Sequence, residues 1–186
     1  EAIKIAIIKD ATLFRQLVNV SAHMNEDKLQ SEIGWEVIDR SVAGMLTELS
    51  ENLYELDSYQ RYVDFGHTFS PHIESSTNYE VSHGEAVAID IALSAVISAQ
   101  RNLLAWDICH VIVNTLKNAG LRVTVPTGVE TLALYESLAA IVAHRDGALN
   151  LVIPVTIGTV AFIEHWRELS CGQLQQAVTY LESYND

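Results

Sequence analysis

The stretch GEAVAIDIALSAVISA, residues 84–99, gives the strongest indication of the fold. It consists mainly of alanine and branched apolar residues, and these residues occupy every face that a helix would present. A helix that is apolar all round belongs at the centre of a bundle, because a helix on the surface needs a polar face. We therefore predict that residues 84–99 form the central helix and that other helices pack around it.

The rest of the chain also has the pattern of a helical protein. Only three prolines and nine glycines occur among 186 residues, and apolar residues recur at spacings of three and four. This spacing predicts further helices over 3–8, 13–18, 33–49, 107–119, 129–144, 162–169 and 174–181. Residues 151–156 are rich in β-branched side chains, which is typical of a short strand or hairpin arm. We predict a mainly α fold with a minor β element, forming a single domain over 1–186.

Several residues mark where these helices begin and end. Asp10 is a predicted N-cap of the second helix, and Gly120 follows the helix over 107–119 as its C′ residue. Pro71 fits the first turn of a helix that Thr68 or Ser70 would cap. The polar stretch 21–27 is predicted to separate two helices, and residues 52–61 to form a loop or a short helix.

Composition excludes several classes of function. Eleven Lys and Arg stand against 24 Asp and Glu, giving a formal net charge of −13. An acidic chain is a poor non-specific ligand for nucleic acid or anionic membrane, so neither is an expected partner. Two cysteines are too few for a disulfide scaffold and fit a reducing compartment, here the cytoplasm.

The hydropathy of the chain bears on a membrane span, and its first residues bear on whether the sequence is a fragment. No run of 18 apolar residues and no secretion signal is present, so a membrane span is not expected. The sequence starts with Glu1, within an amphipathic pattern and without a methionine. We interpret it as a piece of a longer polypeptide.

Three of the seven histidines, His67, His72 and His83, lie within 17 residues. Histidines near the starts of packed helices can converge on one metal ion, and a catalytic zinc site needs three protein ligands with one open position. Spacing alone does not identify the third ligand. Because HExxH and paired CxxC motifs are missing, spacing alone favours capping or surface histidines over a metal site.

Other polar residues allow two interpretations each. Asp90, inside the apolar stretch, needs a hydrogen-bonding partner or a wet cavity, so it is either structural or part of an active site. Lys4 could contact a phosphate or carboxylate, or it could be a solvated surface lysine. Residues 144–147 could end a helix or contact substrate. The isolated histidines His23, His110 and His165 are interpreted as structural.

Three motifs in this order give the chain a family resemblance. Glu-Ala-Ile-Lys at 1–4, Asp-Phe-Gly-His-Thr-Phe-Ser-Pro at 64–71 and His-Gly-Glu-Ala-Val-Ala at 83–88 together resemble the dehydroquinate synthase-like sugar phosphate cyclases. The resemblance covers essentially the whole chain and corresponds to the C-terminal helical domain of those enzymes. Each motif is weak alone, but the three together are specific.

The resemblance implies a metal site and roles for several residues. Glu1, His67 and His83 would bind zinc or cobalt, and Lys4 would be a catalytic and substrate-binding lysine. His67 would also belong to the catalytic set. The family uses NAD, and because no nucleotide-binding βαβ unit occurs in these residues, an N-terminal domain absent from this chain would bind it. The resemblance further implies a homodimer and a phosphorylated sugar substrate, with the isolated domain inactive.

Two positions depart from dehydroquinate synthase itself. Asp64 and Pro71 stand where that enzyme usually has Asn and His, and both resemble the sedoheptulose 7-phosphate cyclases, the branch that forms valiolone-type C7 cyclitols. We expect both to contact substrate, with Asp64 also in the catalytic set; His72 is adjacent to the family position and receives no role. Dehydroquinate synthase, another branch such as the desmethyl-4-deoxygadusol synthases, and a catalytically silent helical interaction domain remain as alternatives.

Overall fold

The computed structural model describes residues 1–51, 61–144 and 147–184. It confirms the mainly α fold with a minor β element. The helices are α1 (Ala2–Lys9), α2 (Ala11–Val20), α3 (Met24–Asp27), α4 (Glu32–Glu51), α5 (Ser70–Ser76), α6 (His83–Gln100), α7 (Trp106–Asn118), α8 (Thr131–Glu136), α9 (Leu138–His144) and α10 (Cys171–Glu182). Short 3₁₀ helices lie at Ser21–His23, Tyr62–Asp64 and Trp166–Glu168. Strands β1 (Leu151–Thr156) and β2 (Thr159–Ile163) complete the described structure.

The central position predicted for α6 is confirmed. Every residue of this helix from Ala86 to Ala99 is buried, whichever face it lies on. Helices α5, α7 and α10 and strand β1 pack around it. Because α6 begins at His83, its N-terminus places a candidate ligand at one end of the core.

Helices α1, α2 and α4 pack against one another beside this core. Asp10 caps α2 as predicted, since its carboxylate accepts hydrogen bonds from the backbone N–H groups of Thr12 and Leu13 at 3.0 and 2.9 Å. The same carboxylate receives the guanidinium of Arg40 on α4. One side chain therefore both starts α2 and fixes α4 against it.

The predicted helix over 162–169 is wrong. Phe162 lies in β2, which pairs antiparallel with β1 from Leu151 opposite Ile163 to Thr156 opposite Thr159, and only Trp166–Glu168 is helical. Gly158 forms the two-residue turn with a φ of +86°, a conformation that glycine adopts without strain. Its N–H donates to the carbonyl of Ile7 at 2.8 Å, so the turn is also fixed against α1.

Two other boundaries differ from the predictions. The single helix expected over 129–144 is split into α8 and α9 at Ser137, whose hydroxyl donates to the carbonyl of Leu134 at 2.7 Å. Such local side-chain bonds compete with the helical ladder. The polar stretch 21–27 is helical, as a 3₁₀ turn followed by α3. Gly120 has a φ of +77° after α7, as a C′ residue should.

Some predictions lie outside the described residues, namely the loop or short helix over 52–60 and the Arg145-Asp146 part of the 144–147 segment. Among the helices that the structure describes, none is long and apolar enough to cross a bilayer.

Candidate metal centre

The turn that carries His67 is pressed against α6. It follows the 3₁₀ helix Tyr62–Asp64, and the N–H of His67 donates to the carbonyl of Asp64 at 2.9 Å. Gly66 has a φ of +79°, and a Cβ at this position would lie 2.9 Å from Val87 Cγ1 on α6. A residue without a side chain is therefore required here for two reasons, backbone conformation and close approach.

Asp90 on α6 fixes the chain immediately after His67. Its Oδ2 accepts hydrogen bonds from the backbone N–H groups of Thr68, Phe69 and Ser70 at 2.7, 2.5 and 3.0 Å. Asp90 therefore caps α5, and the prediction that Thr68 or Ser70 caps it with a side chain is wrong; no side-chain bond from the N-cap residue is present. Asp90 belongs to α6 and is completely buried beside the N-terminus of α5. The cap of α5 therefore comes from another helix.

The environment of Asp90 assigns it a structural role, one of the two interpretations that the sequence left open. Burial raises the pKa of Asp90 to about 6, although the backbone hydrogen bonds act in the opposite direction. The hydroxyl of Ser94 donates a further hydrogen bond to Asp90 Oδ1 at 3.3 Å. The carboxyl thus serves the packing of α5 on α6.

His83 lies in a more open setting, at the first turn of α6. Its side chain is 56% exposed. The preceding residue, Ser82, donates from its N–H and its hydroxyl to the Glu85 carboxylate at 3.0 and 2.7 Å, which starts the helix. The Nδ1 atom of His83 lies 3.1 Å from Oε1 of Glu74 on α5.

The structure brings the three predicted ligands together. Glu1, His67 and His83 each offer one ligand atom, and these atoms lie within 4.8 Å of one another. The two imidazole rings meet edge to face with centroids 5.4 Å apart. One carboxylate and two imidazoles form a donor set suited to catalytic zinc, which leaves a further coordination position open. The residues present therefore fit a divalent metal ion.

Lys4 is a buried cation at this cluster. Its side chain is 3% exposed, and its ammonium group lies 2.7 Å from the Glu1 carboxylate and donates to the carbonyl of Val63 at 3.0 Å. The interpretation of Lys4 as a solvated surface lysine is therefore wrong. Its role toward substrate stays a prediction.

The charge of Lys4 also lowers the pKa values of two candidate ligands, Glu1 and His67. Burial raises the pKa of Glu1, but the hydrogen bond and charge of Lys4, together with smaller contributions from the terminal amine and His67, lower that pKa below its usual range. Burial and the charge of Lys4 lower the pKa of His67. An ionised carboxylate and a neutral imidazole are the forms that bind metal.

Two other predicted site residues lie in different surroundings. The carboxylate of Asp64 forms an ion pair with Arg61 at 3.1 Å. Pro71 is exposed in the first turn of α5 and lines a cavity of about 320 Å³ with Thr68 and His72, a cavity whose lining includes none of the three candidate ligands. The predicted roles of Asp64 and Pro71 toward substrate stay predictions.

Two of the isolated histidines, His23 and His110, have partners nearby in space among the described residues. His110 contacts the hydroxyl of Tyr180 and the ring of Trp106, and His23 lies 3.6 Å from Glu26. Sequence reasoning missed Glu74, which contacts a candidate ligand. No motif could have identified it, because its partner is nine residues away on another helix.

Comparisons with known proteins agree with this geometry. Residues 1–142 match the family model described as 3-dehydroquinate synthase C-terminal. A 2-epi-5-epi-valiolone synthase of Streptomyces hygroscopicus subsp. jinggangensis (strain 5008) is 38% identical over 169 residues, covering 88% of this chain and 40% of that protein. A 3-dehydroquinate synthase of Rippkaea orientalis is 29% identical over 161 residues, covering 86% of this chain and 44% of that protein.

Solved structures show the same likeness. ValA, the 2-epi-5-epi-valiolone synthase from the same Streptomyces strain, superposes with a TM-score of 0.92 at 34% identity, over 99% of this chain and 50% of that one; its structure has NAD⁺ and Zn²⁺ bound. A 2-deoxy-scyllo-inosose synthase complexed with carbaglucose-6-phosphate, NAD⁺ and Co²⁺ shares the fold, with a TM-score of 0.60 at 18% identity over 75% of this chain and 41% of that one. The chain thus spans half or less of the length of these relatives.

Proposed function

The chain belongs to the 3-dehydroquinate synthase C-terminal family, and we propose that it is the metal- and substrate-binding part of an NAD-dependent sugar phosphate cyclase. The observation that carries the proposal is the convergence of Glu1, His67 and His83 within 4.8 Å. The buried ammonium group of Lys4 beside them supplies a cation for an oxygen-rich substrate. Zinc is the favoured ion because ValA holds Zn²⁺; cobalt is the alternative.

The proposed substrate is sedoheptulose 7-phosphate, converted to a C7 cyclitol of the 2-epi-5-epi-valiolone type with loss of phosphate and closure by an intramolecular aldol reaction. Two observations support this branch over dehydroquinate synthase. Identity is 38% to a valiolone synthase and 29% to a dehydroquinate synthase. Asp64 and Pro71 also depart from the residues usual in dehydroquinate synthase.

The residues of this chain would contribute in distinct ways. When bound to Glu1, His67 and His83, zinc or cobalt would lower the pKa of a coordinated substrate hydroxyl. Lys4 keeps Glu1 ionised through their 2.7 Å contact and keeps a positive charge where anionic oxygens develop. Burial and the charge of Lys4 lower the pKa of His67, which favours the neutral form of its imidazole.

The remaining requirements are proposed for the whole protein. The relatives are about twice as long as this chain, so we propose that NAD is bound by an additional domain and that the substrate lies between the two. On this proposal residues 1–186 form one domain that is inactive alone. A homodimer in the cytoplasm is proposed from the family resemblance.

The deciding experiment is product analysis with the full-length protein, NAD, Zn²⁺ or Co²⁺ and sedoheptulose 7-phosphate. We expect release of inorganic phosphate and a seven-carbon cyclitol ketone, identified by mass spectrometry and NMR. Turnover of the dehydroquinate precursor in its place would assign the protein to the dehydroquinate synthase alternative. Turnover of neither substrate, with less than one metal ion per chain, would favour a silent helical domain.

Asp64 offers a sharper test of substrate class. A carboxylate here would repel a substrate that carries its own carboxylate, and would tolerate a neutral polyol. We expect Asp64→Asn to shift the ratio of kcat/KM values toward the dehydroquinate precursor by about tenfold, equivalent to roughly 1.4 kcal/mol. An unchanged ratio would contradict the proposed role, and Asp39→Asn, on the exposed face of α4, is the matched control.

A further inference from the structure

The side chain of His83 is held by little packing. It is 56% exposed and stands at the first residue of α6, so neither burial nor the helix interior restricts its rotation. Its ring meets the ring of His67 edge to face. A ligand with this freedom would lose rotamer entropy on binding metal, unless another group holds it in place beforehand.

Glu74 is that group. Its Oε1 lies 3.1 Å from Nδ1 of His83, and its side chain is only 17% exposed, compared with 56% for the histidine. A carboxylate only accepts hydrogen bonds, so Nδ1 of His83 carries the hydrogen in this contact. The lone pair of the neutral ring is then on Nε2, the atom left for a metal ion.

The backbone that carries Glu74 is itself fixed. The adjacent residue, Ile73, is completely buried, and Pro71 restricts the first turn of α5. Asp90 ties the N-terminus of α5 to α6 through three backbone hydrogen bonds. Helix α6 therefore holds α5 through Asp90, and α5 in turn holds the first residue of α6 through Glu74.

The other candidate histidine has the same arrangement with a different partner. Nδ1 of His67 lies 3.2 Å from the carbonyl oxygen of Phe65. A carbonyl also only accepts, so His67 likewise has its lone pair on Nε2. Both imidazoles therefore carry their hydrogen on Nδ1, and in each ring a hydrogen-bond acceptor of the protein stabilises this tautomer.

We infer that Glu74 is a positioning residue of the metal centre, which fixes the tautomer and orientation of His83 before metal binds. This inference rests on the proposed metal centre. Carboxylate partners of ligating histidines typically change metal affinity by about 10- to 100-fold when removed. Glu74 would act through His83 and would not touch the substrate.

The first test reads the tautomer in metal-free, full-length protein by two-bond ¹H–¹⁵N correlation NMR of ¹⁵N-labelled histidine. In the wild type we expect His83 to carry its hydrogen on Nδ1. In Glu74→Gln and Glu74→Ala the population with hydrogen on Nε2, which free side chains favour, should rise. The exposed Glu80, between α5 and α6, supplies the matched control Glu80→Gln, which should leave the tautomer unchanged.

The second test measures Co²⁺ and Zn²⁺ affinity of the same proteins by competition with a chelator, with the visible spectrum of bound Co²⁺ as a second signal. We expect affinity to fall about 10- to 100-fold in Glu74→Ala and less in Glu74→Gln, which keeps an acceptor oxygen. Unchanged affinity and tautomer in both variants, while His83→Ala abolishes binding, would overturn the inference and leave the proposed function standing. A wild-type protein that binds no metal would overturn both.

Discussion

His67 and His83 face each other across the candidate metal centre, but the protein fixes them in opposite ways. His67 lies between Gly66, where the backbone is pressed against α6, and Thr68, whose backbone N–H donates to the buried Asp90. His83 lies in the exposed first turn of the otherwise buried helix α6, and polar side chains, Glu74 and the Ser82–Glu85 pair, surround it. Substitutions around His67 should therefore change the stability of the whole fold, whereas those around His83 should act locally.

The largest effect is expected for Gly66→Ala. The φ of +79° strains any residue with a Cβ, and that Cβ would lie 2.9 Å from Val87 Cγ1. Together these costs should lower the free energy of unfolding by about 2–5 kcal/mol, measured by urea denaturation. Gly84→Ala is the matched control beside His83, where a Cβ would meet nothing within 4 Å and the helix should gain slightly. Equal effects at the two glycines would remove the distinction between the two histidine environments.

Asp90→Ala should have the next largest effect. It leaves the N–H groups of Thr68, Phe69 and Ser70 without their acceptor in a buried position. We expect the free energy of unfolding to fall by about 1–3 kcal/mol. Asp39→Ala, on the exposed face of α4, is the control. A loss in Asp90→Ala no larger than in the control would show that the cap contributes little.

The stability of the region around His67 should also depend on pH, through Asp90. The pKa of Asp90 is raised to about 6 by burial, above the ordinary aspartate value of about 3.9 in an unfolded chain. The folded state therefore holds more protons between these values, and the part of the stability that depends on protonation of Asp90 is present below pH 4 and lost as pH rises through 6. The free energy of unfolding of wild type minus that of Asp90→Asn should fall between pH 4 and 6 and then level. A difference that is flat with pH would contradict the raised pKa.

The smallest effect is expected at the exposed start of α6. Glu85→Gln weakens the hydrogen bonds from Ser82 and removes a negative charge from the first turn, at a cost of about 0.5–1 kcal/mol. Those hydrogen bonds lower the pKa of Glu85, so the contribution is present above the ordinary glutamate pKa and lost as pH falls through the lowered value. Thermal unfolding at pH 7 and pH 3 checks this. A loss as large as that of Gly66→Ala would show that the start of α6 is not a local feature.

The sequence predicted local structure well where the stabilising contacts join residues that are close together in the chain. Asp10 was identified as a cap because its hydrogen-bonding partners are two and three residues away. Gly120 was identified as a C′ residue because it lies directly after the helix that it ends. The helix over 33–49 was identified from its spacing, but the spacing did not give exposure. Within α4, Val37 is buried whereas Leu46 is 61% exposed. Burial depends on which other elements lie nearby, and spacing carries no such information.

Errors arose where a distant group outweighed the local pattern. The pattern over 162–169 suited a helix, yet Phe162 pairs with Val152 in the hairpin. Thr68 and Ser70 were good cap residues by type, but the buried Asp90 supplies the acceptor. In the candidate site, the resemblance implied the ligands Glu1, His67 and His83, and these residues converge in space. The spacing of the histidines alone had left the third ligand open.

The helical fold and the central position of α6 follow from the amino-acid pattern alone, because an amphipathic or fully apolar pattern has one low-energy arrangement relative to water. The residue types of the candidate metal centre followed from the family resemblance of three motifs. The cap that Asp90 provides for α5 and the contact between Glu74 and His83 became visible in the three-dimensional structure alone. Both are hydrogen bonds between separate elements, and their energy depends on distance and burial, which packing alone sets.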